Sequence, residues 1–494
     1  MFVDGKWVPS ESGKTFGVIN PATETLIAEV PLGSRSDAQK AIDVARETFD
    51  RGVWSEKTPA ERSKAVWKLA DLVEQNIDEI ASLEAQNVGK TIRYSRESDL
   101  PFLIDNLRFF AGAARALEGK SADEYSGMGT SFIRREPLGV VAGIIPWNYP
   151  LFIAVWKIGP ALAAGDTLVV KPASYTPLTL LKFAELVAKA GIPDGVFNVV
   201  TGPGDVVGAE LARSKKVDMV ALTGDTQTGQ KIMSLAAGNL KRVSLELGGK
   251  APLIVLPDAD GETAAQGAVV GAYWNSGQDC TAVTRVLAPR GVYEKVTRAM
   301  VEKATRFRVG DPMDKATDMG PLVSAKQRER VEGFVQTGLK EGAKLAAGGK
   351  RPGQLHKGYF LEPTILSDTE QDMAVCREEI FGPVICVIEY EKLDRAIEDA
   401  NDVDYGLAAS VYGRDIGECM EAARKLNFGT VWINEHGILT SEMPHGGFKQ
   451  SGFGKDLSMY SFEEYTRVKH VYVDLTRKAV KPWHPIVFGA SQPS

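Results

Sequence analysis

Short apolar, β-branched runs recur at a steady rhythm between residues 138 and 256: VVAGII (140–145), TLVV (167–170), VFNVV (196–200), VDMVAL (217–222), VSLEL (243–247) and PLIVL (252–256). Runs of this length bounded by turn residues predict strands. Between two of them Leu180, Phe183, Ala184, Val187 and Ala188 fall at i, i+3, i+4, i+7 and i+8, an apolar stripe along one helix. Pro177 suits the first turn of that helix, and Gly191 with Pro193 supplies its stop. Strand, helix, strand at this spacing predicts a parallel α/β sheet with helices on both faces. From 250 to 447 the alternation resumes, with helical patterns at 293–307, 326–341 and 392–401 and strands at VICVIEY (384–390) and TVWIN (430–434). This predicts a second parallel-sheet α/β domain. The stretch 121–136 lacks strong periodicity, and TRVKHVYVDL (466–475) alternates like a strand; both fall outside the two sheets and read as an intersubunit ribbon.

Composition narrows the classes. The 494 residues, as a soft prior, allow about three units of ~150 residues each. With 44% hydrophobic and 25% charged residues the usage is ordinary for a globular chain, and no run approaches the ~18 apolar residues of a spanning helix. The start, MFVDGKWVPS, has neither the basic flank nor the apolar core of a targeting peptide, so a cytoplasmic, membrane-free protein is expected. Net charge is −6 with Lys and Arg dispersed, which argues against nucleic acid as a partner. Cys280, Cys376, Cys386 and Cys419 form no CxxC pair and no Cys/His spacing for a metal, so they are read as reduced thiols, with no metal site.

Three segments carry candidate chemistry. In Asn275-Ser276-Gly277-Gln278-Asp279-Cys280-Thr281-Ala282 a cysteine sits among small and polar residues, as a reachable nucleophile would, although Asp279 opposes its ionisation. Leu245-Glu246-Leu247-Gly248-Gly249-Lys250 ends a predicted strand with a carboxylate able to activate water, followed by glycines that permit close approach. Ile145-Pro146-Trp147-Asn148-Tyr149-Pro150 ends another with an amide that can meet a developing oxyanion. Each alone has an ordinary structural explanation: a small buried hydrophobe, a strand end turning through Gly-Gly, an Asn satisfying a tight turn.

Together and in this order they resemble the aldehyde dehydrogenase superfamily. The resemblance extends to Lys171-Pro172, Thr223-Gly224, Glu379-x-Phe381-Gly382-Pro383 and Gly446-Gly447-Phe448-Lys449-x-Ser451-Gly452. It implies a Rossmann-like NAD(P)-binding domain (1–120 with 138–249), a catalytic domain (250–447), oligomerisation segments (121–137 and 448–477), a tail (478–494) and a homo-oligomer, dimer or tetramer. It also implies that Cys280 attacks the aldehyde carbon while Asn148 and the Cys280 N–H hold the oxyanion. Glu246 then activates water against the thioester, giving a free acid rather than a coenzyme A ester. NAD or NADP would contact Pro146, Trp147, Lys171, Ser174, the turn Thr223-Gly224-Asp225, Leu247, Gly248, Glu379 and Phe381. Gly204 and Gly208 have a supporting role, since Gly202-x-Gly204-x-x-x-Gly208 is one residue too long for the usual dinucleotide fingerprint.

Two departures from the family pattern matter. Ser174 stands where many NAD-preferring relatives carry a glutamate, so NADP should be accepted. Asp225 stands where serine is common; it can cap the following helix yet repels a pyrophosphate. The substrate mouth should involve Tyr149, Trp156, Asp279, Leu439 and His445. The runs FFAGAARALEG (109–119), GQDCTA (277–282) and SEMPHGGFKQSGFGKD (441–456) most resemble bacterial 4-aminobutyraldehyde dehydrogenases. An ω-ammonium would be met by Asp279, Asp99 or Asp105 and by aromatic faces. Betaine aldehyde and 3-aminopropionaldehyde fit the same logic. Succinate semialdehyde, an aromatic aldehyde, or a catalytically silent binding protein on this fold are the alternatives.

Overall fold

The computed structural model describes residues 1–119 and 122–488. Ser121, which opens the first expected ribbon segment, and residues 489–494 of the expected tail lie outside the described residues. All six apolar runs are strands. Five of them, Val140–Ile144, Thr167–Lys171, Phe197–Val199, Met219–Thr223 and Arg242–Glu246, form the parallel centre of an eight-stranded sheet. Antiparallel strands close its two edges, Phe2–Val3 with Lys6–Trp7 on one side and Gly452–Phe453 on the other. The sixth run, Ala251–Val255, belongs to a second, seven-stranded sheet that also holds Val283–Pro289, Val384–Tyr390 and Thr430–Ile433. That sheet is parallel except for its edge strand Lys344–Ala347. The expected α/β class with two parallel-centred sheets is what the chain adopts.

The central strands are buried throughout, which is why they read as continuous apolar runs rather than alternating ones. Helices cover both faces of the first sheet. Pro59–Gln75, Leu100–Ala113, Pro150–Ala164 and Leu178–Ala190 supply one core, and Arg35–Asp50 with Thr226–Ala236 contribute to the other. The Leu178–Ala190 helix starts after Pro177 and stops at Gly191, whose φ of 86° is the left-handed conformation a glycine cap allows. Helix Pro150–Ala164 is buried along nearly its whole length and carries Lys157 inside the core.

In the first sheet the chain moves outward from Val140–Ile144 through Thr167–Lys171 to Phe197–Val199. It then returns to lay Met219–Thr223 against the other side of Val140–Ile144. The strand order therefore reverses between these two neighbours, and the crevice beyond their carboxyl ends is where ligands bind in open α/β sheets. The segments 145–150 and 223–229 leave the sheet there. Apart from both sheets, Thr466–Asp474 pairs antiparallel with Gly129–Pro137 over nine positions, and Ala122–Asp123 adds a third strand. Of the segment 448–477, Gly452–Phe453 joins the first sheet and Ser458–Glu464 is a helix. No helix among the described residues is long and apolar enough to cross a membrane.

Candidate active site

A cleft of about 660 Å³ opens at the strand-order reversal and runs to Cys280. Ile145, Pro146, Trp147 and Asn148 line it from the end of one strand, and Thr223, Gly224 and Asp225 from the end of its neighbour. Lys171, Ser174 and Gly204 lie at one end; Glu246, Gly248, Cys280, Glu379 and Phe381 at the other. Two residues expected at the cofactor are not on this surface. Leu247 packs into the apolar core beneath the Thr226–Ala236 helix, where Gly229 makes room for it. Gly208 closes a short helical turn behind Lys171. Spacing between glycines selected that position, but of this turn Gly204 and not Gly208 lines the cleft.

Asp225 caps the Thr226–Ala236 helix, accepting hydrogen bonds from the Thr228 backbone N–H (2.9 Å) and hydroxyl (2.6 Å). Its charge is thus drawn toward the helix N-terminus. The Ser174 hydroxyl donates to the Gly202 carbonyl at 3.2 Å. Lys171 is buried, which lowers its amine to about 8, and it donates to the Pro172 carbonyl at 2.7 Å. Glu379 accepts the Gly249 N–H at 2.9 Å, and burial raises its carboxyl to about 7. A Cβ on Gly248 would lie 2.4 Å from the Glu379 carboxylate, so that approach requires glycine. Trp147 and Phe381 meet edge to face at 5.1 Å.

The nucleophile loop is built on unusual backbone. Asn275, Ser276 and Gly277 all have positive φ (49°, 58° and 68°), and a Cβ on Gly277 would sit 2.3 Å from the Gly382 carbonyl oxygen. Asn275 stabilises the turn, donating to the carbonyls of Asn148 (3.0 Å) and Gln278 (3.2 Å). Asn148 in turn donates one amide hydrogen to the Gln278 carbonyl at 3.0 Å, leaving the other for the cleft that Cys280 also lines. The opposite wall is the four-residue link between the two sheets, which begins at Glu246. A Cβ on Gly249 would lie 2.2 Å from the Cys280 carbonyl oxygen, so only glycine lets base and nucleophile come this close.

Burial raises the Cys280 thiol well above its ordinary value, and the charges of Glu246 and Asp279 push the same way. Its sulfur, a Glu246 oxygen and a His445 ring nitrogen all lie within 4.8 Å of one another. His445, expected at the substrate mouth, is instead deep in the chamber, its ring 5.3 Å from that of Trp156. Behind it Lys157 and Asp456 form a buried ion pair at 2.5 Å, with Asp456 bonded to the His445 backbone in both directions.

Tyr149, Trp156 and Leu439 do come together, in a cluster that adds Phe102, Phe152 and Trp274. None of these last three was singled out in the sequence: Phe102 and Trp274 come from elements distant in the chain, while Phe152 lies on the same helix as Trp156 and could have been found by its helical spacing. Asp279 faces this chamber and accepts only from neutral donors, the Tyr149 hydroxyl (2.7 Å) and the Thr281 N–H and hydroxyl (both 2.7 Å). Asp99 differs from expectation: it is buried against Lys90 at 2.5 Å, so its charge is met from within the protein. Glu84 shares that ammonium at 3.8 Å, and the same Lys90 lies 3.8 Å from the centre of the Tyr149 ring. Asp105 is exposed and accepts the Ser441 hydroxyl at 2.5 Å.

A thiol, a carboxylate and an amide donor brought to one cleft at the strand-order reversal are the arrangement that a thiol-dependent dehydrogenase of aldehydes requires. The aldehyde dehydrogenase family model matches residues 7–471, and the chain belongs to that family. The betaine aldehyde dehydrogenase of Bacillus subtilis (strain 168) is 44% identical over 98% of this chain and 99% of its own length. Among solved structures, the NAD+ complex of an aldehyde dehydrogenase from Bacillus cereus is 45% identical, covers 96% of both chains and superposes with a TM-score of 0.94. The betaine aldehyde dehydrogenase of Staphylococcus aureus in complex with NAD+ is 39% identical over 98% of this chain and 96% of that one, with a TM-score of 0.95.

Proposed function

We propose that this enzyme oxidises an amino-aldehyde such as 4-aminobutyraldehyde to the free acid, with NAD or NADP as acceptor. The observation that carries the substrate class is Asp279, an ionisable carboxylate next to Cys280 that has no cationic partner among the described residues and accepts the hydroxyl of Tyr149, a member of an aromatic cluster. Lys90 is already balanced by Asp99 and Glu84, so the chamber's uncompensated charge is negative. An ammonium group on the aldehyde supplies the missing cation, and the aromatic faces favour it further.

Cys280 loses its thiol proton to solvent through the cleft and its Sγ attacks the carbonyl carbon, and the new oxyanion accepts from the free Asn148 amide hydrogen and the Cys280 N–H. Bound in the cleft, an oxidised nicotinamide supplies the hydride acceptor and a positive charge near the thiol. Asp279 opposes thiolate formation, so a nearby positive charge is what the thiol needs. Loss of hydride leaves a thioester on Cys280. Glu246 takes a proton from water, whose oxygen attacks the thioester and releases the acid and the thiol. The NAD+ complexes of the Bacillus cereus and Staphylococcus aureus relatives support NAD use here. Ser174, a neutral hydroxyl beside Lys171 at the cleft end, supports acceptance of NADP. Exposed strand positions along Thr466–Asp474 support pairing between subunits in a homo-oligomer.

The Bacillus subtilis relative's name keeps betaine aldehyde as a second reading, since its quaternary ammonium fits the same charge. The test is a panel of aldehydes with both cofactors. The proposal expects 4-aminobutyraldehyde or betaine aldehyde to give a higher kcat/KM than succinate semialdehyde or benzaldehyde. The reverse order refutes the cationic substrate. Undiminished turnover by Cys280→Ala refutes the mechanism, and NAD turnover with none on NADP refutes the reading of Ser174.

A further inference from the structure

We propose that the catalytic chamber doubles as an inhibitory binding site for a zinc-class cation, held by the Cys280 sulfur, a Glu246 oxygen and a His445 ring nitrogen. The three ligand atoms lie within 4.8 Å of one another, and His445 Nε2 is 3.6 Å from Glu246 Oε1. With metal–ligand bonds of about 2.0–2.3 Å, neighbouring ligands of a tetrahedral site stand roughly 3.3–3.8 Å apart. The His445–Glu246 pair already meets that spacing. The sulfur reaches it by moving no more than about 1.5 Å, within the reach of a small rotation of the cysteine side chain.

Neither ring nitrogen of His445 has a hydrogen-bond partner, and the Glu246 carboxylate has none but the Cys280 thiol, although both side chains are almost wholly buried (1% and 4% exposed). Buried polar atoms that the protein itself leaves so little used are available as ligands. The tilted contact of the Trp156 ring with His445, and the two backbone bonds between His445 and Asp456, hold the imidazole in place.

The donor set chooses the metal. Thiolate, imidazole and one carboxylate suit zinc, whereas magnesium and calcium require several oxygens. Charge also balances, because a thiolate and a carboxylate cancel a divalent cation. Binding replaces the S–H bond by an S–metal bond and releases the thiol proton to solvent, with no change of oxidation state. Occupancy therefore strengthens as pH rises. The ion enters through the cleft that Glu246 and Cys280 line, leaving the fourth position to water. A metal-bound sulfur cannot attack an aldehyde, and a metal-bound Glu246 cannot take a proton, so the consequence is reversible inactivation. The site rests on these distances alone and does not depend on which aldehyde is the substrate.

The test uses the full-length enzyme freed of metal by a chelator, with zinc, cobalt(II) and magnesium salts as probes. Calorimetry should show one zinc bound per chain and no magnesium. Cobalt(II) should give a thiolate-to-metal charge-transfer band that is missing in Cys280→Ser. One equivalent of zinc should slow alkylation of Cys280 at least about tenfold, with recovery on adding EDTA. His445→Phe and Glu246→Gln should each weaken zinc at least about tenfold; circular dichroism identifies any variant that has not folded, and the cobalt band of the unaltered enzyme needs no variant. Zinc that fails to protect Cys280, or binds Cys280→Ser as tightly as the unaltered enzyme, overturns the proposal. Aldehyde oxidation measured in chelator is unaffected by either outcome, so the two readings fail separately.

Discussion

Replacing Asp279 with asparagine keeps the shape of the side chain and an acceptor for Thr281, but removes the chamber's uncompensated charge. A substrate ammonium roughly 5 Å from that carboxylate, at an effective dielectric of ~20, gains about 3 kcal/mol. Asp279 is only half-buried, so solvent screening reduces this to about 1–2 kcal/mol, or roughly 5- to 30-fold in kcat/KM. The same change also acts on the nucleophile. Asp279 helps to hold the Cys280 thiol protonated, so its loss lowers the thiol pKa and moves the rising limb of the rate profile to lower pH. A neutral aldehyde feels only this second effect. Asp279→Asn is therefore expected to lower kcat/KM for 4-aminobutyraldehyde while leaving benzaldehyde unchanged or faster. Steady-state kinetics with both substrates from pH 6 to 9 measures the ratio. Equal changes for the two would show that Asp279 shapes the loop rather than selecting charge.

Glu246→Gln should slow hydrolysis of the thioester by about 10²- to 10⁴-fold; a burst of reduced cofactor followed by slow turnover, with the acyl adduct visible by intact mass, checks it. Gly249→Ala places a Cβ 2.2 Å from the Cys280 carbonyl oxygen. The strain should cost about 1–3 kcal/mol and, by parting Cys280 from Glu246, more activity than stability, read as melting temperature against kcat. Burial raises Glu84 to about 7 from 4.5. A raised carboxyl binds its proton in the folded state first, so stability falls as pH rises from about 4.5 to 7. Glu84→Gln should flatten that decline and add up to about 3 kcal/mol above pH 7, measured by denaturant titration across the range.

The parts of this enzyme that local pattern determines were readable in advance. Buried parallel strands need unbroken apolar runs, so all six runs became strands, and Pro177 and Gly191 marked the ends of their helix. The amphipathic helices before residue 114 went unassigned although their starts are signalled by Ser34 with Asp37 and by Thr58, Pro59 and Glu61, both capping boxes. That Cys280, Glu246 and Asn148 would share one cleft was legible because each lies at or just beyond a strand end or strained turn with its own residue signature. Periodicity, however, reveals which face is buried and not what it meets. Asp99 looked free because its partner Lys90 lies nine residues earlier, across two short helical segments, and Phe102 and Trp274 converge with Tyr149 and Trp156 only in three dimensions. The capping role of Asp225 was legible from its place before the helix, and its bond to the Thr228 backbone N–H is that cap.

The first sheet ends at Glu246 and the second begins at Ala251, so the two domains are stitched together at the chemistry itself. The base sits on one side of this seam and the nucleophile's carbonyl touches its glycine from the other. Any sliding of one sheet against the other therefore changes the spacing between base and nucleophile before it disturbs either core. Activity should consequently be the most sensitive strain gauge in the molecule, fading under heat, pressure or mild denaturant while both sheets are still intact.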